Sequence, residues 1–348
     1  MSSGSATTGE ATARPALSIL SAAHNTESHL AEMIDSVVAQ TVSDWELIIV
    51  DNGMSDEVVQ IVTGYADDPR IRLLRQEYLG LAGGVDAAAE LARGAYYAVL
   101  ASDGRLKPTF CERVTAVLAD HPEIDVLCVD ALPFLGPADR PPSFRQRCGV
   151  TDEPGVEHRT ELVDVVRRAA LYSTAAIRAA AWHAGGGYAG DTPQVDSLAM
   201  CLRMLASGCD LRVLPEQLGG YRLHADNLDH IPADQDEYEA SLERAFVQVA
   251  TRTDDREVLA ALRTTLRQQR YDKALRLTRK AMSDSDPTAA RFQARLALRH
   301  IPALQPAMVL RPALIWTVLR VAPNGIDHVK SAKRRTASLL RSVTNRKR

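Results

Sequence analysis

The chain has 348 residues, 46% of them apolar and 24% charged, with a formal net charge of −3. That is ordinary globular usage, and it leaves no overall electrostatic pull toward nucleic acid. The five cysteines, Cys111, Cys128, Cys148, Cys201 and Cys209, form no CxxC pair and no metal-ligand spacing. They read as reduced thiols of a cytoplasmic protein, not as a disulfide framework.

The opening segment, residues 1–14, is small and polar ("MSSGSATTGEATAR"). It is expected to be a disordered leader, since it has no apolar stretch of a signal peptide. "LSILSAA" (17–23) and "ELIIV" (46–50) are short β-branched runs that predict strands. Between them, Leu30, Ile34 and Val37 fall at helical spacing, with Glu27 near the helix start, where the dipole favours a carboxylate. A helix is predicted over about 55–66 and a third strand at "IRLLRQ". "GLAGG" (80–84) reads as a flexible loop, because it matches neither GxGxxG nor a Lys-containing phosphate loop. A helix over about 82–93 should stop at Gly94, and "AYYAVLA" is the fourth strand.

Strands alternating with helices of this length predict an α/β fold, a mostly parallel sheet with helices on both faces. Ligands of such sheets bind beyond the carboxyl ends of the strands. The residues to inspect are therefore Ala22 to Asn25, Asp51 to Ser55, and Ser102 with Asp103.

Residues 135–160 read as a long surface excursion rich in Pro, Gly and charge. "VDSLAMCLRMLASG" is an amphipathic helix, and "DLRVLPEQLGGYRLH" a strand pair or a strand and turn. From residue 233 to 310 several consecutive short helical patterns predict a C-terminal α-helical appendage. Residues 311–348 hold ten Lys/Arg against one acid, Asp327. That basic amphipathic tail is either solvated or rests on an anionic inner membrane leaflet, which would make the protein peripheral there. No apolar stretch reaches the roughly 18–20 residues that span a bilayer.

Taken in order, "LSILSAAHNTESHLAEMIDSVVAQTVSDWELIIVDNGMSDEVVQIVTGYADDPRIRLLRQE", "ELARGAYYAVLASDG" and "GGYRLHADNLD" resemble the nucleotide-sugar-binding domain of family-2, GT-A-fold glycosyltransferases. The resemblance covers about residues 15–230, within a transferase domain expected over 15–232. It implies an inverting glycosyltransferase that uses a nucleotide-diphosphate sugar of UDP, GDP or dTDP type and Mn²⁺ or Mg²⁺, with no role for nucleic acid. Ala22, Ala23, His24, Glu27, Asp51, Ser102 and Asp103 would line the nucleotide. Asp103, with His224, would hold the cation that bridges the phosphates as a Lewis acid. Asp196 or Asp191 would deprotonate the acceptor hydroxyl.

The chain departs from the family pattern at several of these places. Pro-Ala-Tyr-Asn becomes Ala22-Ala23-His24-Asn25, and Asp-Asp-Gly-Ser becomes Asp51-Asn52-Gly53-Met54. Ala-Arg-Asn becomes Gly84-Val85-Asp86, which loses a positive charge. The acidic motif has Ala101 and Gly104 where acids often stand. These losses sustain an alternative, a non-catalytic GT-A-like module that binds a nucleotide or a partner. Each residue also has a plainer reading: Asp103 as an Asp-Gly turn, Asp51 as the closure of its own turn, His24 as a packing ring, His224 as a surface histidine, and Asp196 as a helix N-cap.

Overall fold

The computed structural model describes residues 14–134, 142–143, 146, 155–168, 174–223, 234–301 and, in the C-terminal segment, 312–313, 315–317 and 320. Two compact units divide at Asp254/Asp255. The predicted leader, most of the 135–160 excursion, His224 and nearly all of the basic tail lie outside the described residues.

The first unit is built on an eight-stranded sheet of order β3-β2-β1-β4-β7-β6-β8-β5. Its N-terminal half consists of β1 (Leu17–Ala23), β2 (Trp45–Asn52), β3 (Ile71–Gln76) and β4 (Tyr96–Val99). All their mutual pairings are parallel. Every residue of β1 and β2 is buried, as expected for strands covered on both faces. The remaining strands are β5 (Arg105–Leu106), β6 (Val126–Phe134), β7 (Thr174–Arg178) and β8 (Leu211–Arg222). β7 runs antiparallel to β4 and β6, and β5 antiparallel to β8, while β6 and β8 are parallel. The sheet is thus parallel where the strand–helix alternation is strict and mixed beyond it.

Helices α1 (Glu27–Val38), α2 (Asp56–Thr63), α3 (Gly80–Leu91) and α4 (Phe110–Asp120) connect the first strands. α1 buries Leu30, Met33, Ile34 and Val37, the stripe that its periodicity predicted. These side chains join Leu17, Ile19, Trp45, Leu47, Ile49 and Phe110 in one core. Then come α5 (Leu162–Arg168), α6 (Ala179–Gly185), α7 (Asp196–Ala206) and α8 (Gln235–Ala250).

Four predicted local features come out differently. "GLAGG" is no loop: it is the first turn of α3. Its small residues let the helix lie close on β1 and β2, and a Cβ at Gly84 would stand 2.6 Å from that of Ala22. Gly94 does not end that helix, which stops at Leu91. It is glycine because a Cβ there would lie 2.6 Å from the Ser18 backbone nitrogen. β8 is one strand with a shifted register opposite Val129 and Asp130, where Pro215 interrupts the ladder. Finally, α8 belongs to the first unit, burying Leu242, Ala245, Phe246 and Val249.

The second unit contains α9 (Arg256–Ser283) and α10 (Pro287–Arg299). The sequence predicted two short helices over the first of these. No Gly or Pro interrupts the stretch, and it forms one helix of 28 residues, capped by the Asp255 carboxylate. Tyr271, Ala274 and Leu275 pack with Ala297, and Ala281 with Ala290, closing α9 and α10 as an antiparallel pair. No helix among the described residues is long and apolar enough to cross a membrane.

Candidate functional site

The parallel half of the sheet brings the ends of β1, β2 and β4 side by side, with Ala23 opposite Asp51 and Leu20 opposite Val99. Ala22 and Ala23 are buried and supply the floor of this edge. His24 follows at the surface, its ring stacked on Tyr78 at 4.1 Å between centroids. A Cβ at Gly53 would lie 2.8 Å from His24 Nδ1, so the ring also rests on that glycine. Glu27 is the first residue of α1, half-buried. Its carboxylate occupies the positive end of the helix, where a phosphate would otherwise be favoured.

Asp51 is fully buried, and both of its oxygens are engaged. Oδ1 accepts from the Ser55 N–H at 2.9 Å and Oδ2 from Arg75 Nε at 2.9 Å. It therefore closes its own turn. A carboxylate accepts about four hydrogen bonds, but the burial of Asp51 leaves its remaining lone pairs out of reach of a ligand unless this edge opens. Asn52 beside it is equally committed: Oδ1 accepts from Gln76 Nε2 at 2.8 Å and from the Leu79 N–H at 3.2 Å. Its Nδ2 donates to the Gly80 carbonyl at 2.8 Å. Asn52 thus fixes the 76–80 segment that carries Tyr78.

At the end of β4 the Gly104 N–H donates to the Ala101 carbonyl at 2.8 Å, so "ASDG" is a hydrogen-bonded turn. Ser102 is buried at its centre and accepts from Thr26 Oγ1 at 2.9 Å. Asp103 is half-buried, and its carbonyl accepts from Arg222 Nε at 3.3 Å. A Cβ at Gly104 would lie 3.1 Å from the Gly220 carbonyl on β8. The acid that often stands at this position fits only if β8 gives by a few tenths of an ångström. Ala101, by contrast, is exposed.

Among the described residues, no group of three or more His, Cys, Asp or Glu side chains is placed to hold a metal ion alone. Asp103 and Ser102 offer hard oxygen donors. Mg²⁺ and similar ions on nucleotides commonly take only one or two carboxylates, the other ligands being phosphates and waters. The donor set fits a cation that arrives on a diphosphate, not an all-protein cage.

The two candidate bases differ in setting. Asp196 is the first residue of α7, not its cap, which is Val195. Its buried carboxylate accepts from Thr192 Oγ1 at 3.0 Å, and burial raises its pKa. Asp191 is exposed. Its Oδ2 accepts from Gln248 Nε2 at 2.6 Å and its carbonyl from Arg244 Nε at 2.7 Å, both from α8. Asp86, on α3, has its pKa raised by burial and accepts from the Tyr188 N–H at 2.9 Å. Buried Arg203 donates to the Gly185 and Gly187 carbonyls. The sequence reading missed Arg75, Tyr78, Arg203, Arg244 and Gln248. The pairing of Asp51 with Arg75 in the β2–β3 register is the one signal that strand prediction holds for any of them.

The model of the family described as "Glycosyl transferase family 2" matches residues 18–171. That segment is a family-2 glycosyltransferase domain. Among curated proteins, the putative glycosyltransferase EpsH of Bacillus subtilis is 34% identical over 121 residues, covering 34% of this chain and 35% of that protein. The chondroitin synthase of Escherichia coli is 33% identical over 99 residues, 28% of this chain and 14% of that protein. The chain therefore matches about a third, or less, of the length of these relatives. Among solved structures, S. aureus TarS 1-349 superposes with a TM-score of 0.60 at 15% identity, covering 87% of this chain and 91% of that one. The mannosyltransferase PcManGT from Pyrobaculum calidifontis, in complex with GDP-Man and Mn²⁺, gives 0.53 at 16% identity, covering 90% and 88%. The fold of the family-2 domain is the GT-A type.

Proposed function

We propose that the protein is an inverting glycosyltransferase that moves a sugar from a nucleotide-diphosphate donor to a hydroxyl acceptor, using Mn²⁺ or Mg²⁺. The observation that carries this reading is the placement of Asp51 at the end of β2, and of Ser102 and Asp103 in the turn after β4, on the two strands that flank β1 in a segment matching the family-2 model. The TarS complex with UDP-GlcNAc and the PcManGT complex with GDP-Man support a nucleotide-sugar donor of UDP or GDP type, and a dTDP donor belongs to the same proposal.

In this reading Asp51, oriented by Ser55 and Arg75 but fully buried, would meet the base only where the strand edge beside the His24–Tyr78 stack opens to admit it. Asp103, with Ser102, holds the diphosphate side, and His224 is a further candidate there. A divalent cation bound at Asp103 would neutralise charge on the departing diphosphate. Asp191 is the better base of the two, because its carboxylate is exposed to an incoming hydroxyl while that of Asp196 is buried. The basic tail would hold the enzyme at an anionic inner leaflet, near an envelope or lipid-linked acceptor.

The test is calorimetry and turnover with UDP-GlcNAc, GDP-Man and a dTDP-sugar, each with Mn²⁺. At least one donor should bind and be transferred or hydrolysed. Asp103→Ala and Asp191→Asn should each lower turnover at least 100-fold, and NMR of the product should show an inverted anomeric centre. Donor binding without turnover under all conditions would favour the non-catalytic module, which the crowding at Gly104 supports. No binding of any donor would overturn both readings.

A further inference from the structure

We propose that Asp86 is a positioning residue that suspends the loop carrying the acceptor base. The inference rests on the reading of Asp191 or Asp196 as that base. Residues 186–195 join α6 to α7, and the backbone is left-handed at Gly186, Gly187, Gly190 and Gln194. Such a segment does not hold its shape through local preference, least of all at Gln194, whose side chain disfavours that conformation. Its shape has to be imposed by what it touches.

The loop is held from three elements. On the α7 side, Arg203 donates from Nε to the Gly185 carbonyl at 3.0 Å and from Nη2 to the Gly187 carbonyl at 2.5 Å. On the α8 side, Arg244 and Gln248 hold Asp191 by its carbonyl and its carboxylate. The third hold comes from 102 residues away in sequence: Asp86 Oδ1 accepts the Tyr188 N–H. The fit is close, since a Cβ at Gly187 would lie 2.4 Å from that same oxygen. Tyr188 is then locked by its ring, stacked on Trp182 at 5.4 Å.

Asp86 is the anchor that ties this loop to the donor side. It stands on α3, whose first carbonyl, that of Gly80, is held by Asn52 at the end of β2. One continuous run of contacts therefore connects the base-binding edge, through Asn52, Gly80 and α3, to Tyr188 and on to Asp191. The aspartate where the family often has asparagine keeps an acceptor oxygen in that position. What Asp86 contributes is a hydrogen-bond acceptor at a fixed height on α3, and the acceptor base takes its place relative to the donor from it. Displacement of a reacting group by about 1 Å costs on the order of 100-fold in rate.

The experiment compares Asp86→Ala, Asp86→Asn and Asp86→Glu with the wild-type full chain, using amide hydrogen exchange over 186–195, UDP-GlcNAc or GDP-Man binding by calorimetry, and turnover. Asp86→Ala should accelerate exchange at Tyr188 at least tenfold and lower kcat about 10- to 100-fold, with donor affinity changed less than about threefold. Asp86→Asn keeps the acceptor oxygen and should restore both exchange and kcat to within about threefold. Asp86→Glu keeps the charge but displaces the oxygen by one methylene, and should lower kcat even though it remains folded. Unchanged exchange in Asp86→Ala would overturn the proposal. So would unchanged kcat in that variant, or a kcat in Asp86→Asn as low as in Asp86→Ala. If wild type binds no donor and turns over nothing, the glycosyltransferase reading fails, while the exchange comparison still decides whether Asp86 holds the loop.

Discussion

Replacing Asn52 by aspartate would restore the acidic pair common in the family, and the structure predicts that it damages the protein. Asn52 is 1% exposed, and its three bonds fix which way the amide points. The Leu79 N–H can only donate and the Gly80 carbonyl can only accept, so Oδ1 must face the former and Nδ2 the latter. In Asn52→Asp the nitrogen becomes an oxygen 2.8 Å from the Gly80 carbonyl oxygen. One hydrogen bond is lost, and a part-buried carbonyl is left facing another acceptor, which costs about 1–3 kcal/mol. The new carboxylate also adds charge next to buried Asp51. Charge-assisted bonds from Gln76 and Leu79 offset part of this, leaving a net loss of about 2 kcal/mol.

For a unit of this size, each kcal/mol shifts the midpoint by about 2–4 °C, so Asn52→Asp should melt about 4–8 °C below wild type at pH 7.5. The defect should shrink near pH 5. Protonation of the new carboxyl, which burial makes easier, restores a donor toward Gly80. Thermal unfolding followed by circular dichroism at the two pH values measures both effects. Equal stability at pH 7.5, or a gap that does not narrow on acidification, would refute the assignment of Asn52 as an obligatory donor.

Three further outcomes follow from the same contacts. Burial works to raise the Glu46 pKa, but the Arg93 N–H, the Ser18 hydroxyl and the Arg93 guanidinium outweigh it and leave it below its ordinary value of 4.5. Its contribution is therefore complete above that value and lost as pH falls through the folded one. Glu46→Gln should cost about 2 kcal/mol at pH 7, with the difference from wild type closing in acid, as read by urea unfolding at several pH values. Asp196 has the opposite sign: its raised pKa means that the wild type loses stability as pH climbs above 3.8, the ordinary value. Asp196→Asn still accepts from Thr192, so its midpoint should exceed that of wild type at pH 7.5 and coincide with it near pH 3.5. At the acidic turn, Gly104→Asp should destabilise the protein by about 1–3 kcal/mol through its clash with the Gly220 carbonyl. Ala101→Asp, at an exposed position of the same turn, should leave stability within about 0.5 kcal/mol and tighten Mn²⁺ binding in the nucleotide complex, measured by calorimetry.

What the sequence disclosed and what it withheld divide by range. The β1–α1–β2 unit was legible because its signals are local: two unbroken apolar runs and a stripe at Leu30, Ile34 and Val37. The ends of β1, β2 and β4 were legible for the same reason. The holding contacts were not. Tyr188 reaches Asp86 from 102 residues away, which no periodicity encodes, and Arg75 reaches Asp51 from 24 residues away, a pair that only the β2–β3 register hints at. Glycines misled in both directions. "GLAGG" and Gly94 looked like chain breakers, yet each is small because another backbone or side chain lies against it. The long α9 was split in prediction because its apolar positions are sparse among cations, although nothing in it breaks a helix.

The departures from the family pattern therefore carry different weights. Asn52 and Gly104 are packing solutions: the first needs an N–H₂ toward Gly80, and the second needs the space that β8 occupies. A carboxylate at either position would have to displace what now packs there. Asp86 likewise replaces one acceptor by another, and its oxygen accepts from the Tyr188 N–H. The loss of a positive charge at Val85 is real, since that side chain is fully buried. The acids that persist, Asp51 and Asp103, lie at the ends of strands that pair directly on either side of β1. Asp51 closes β2, and Asp103 sits in the hydrogen-bonded turn that follows β4. Under the proposed function these two carboxylates would serve the base and the diphosphate even with a thinned motif. Charge compensation at the diphosphate then depends more heavily on the cation, so turnover should fall off more steeply with decreasing Mn²⁺ than it would with a full acidic motif.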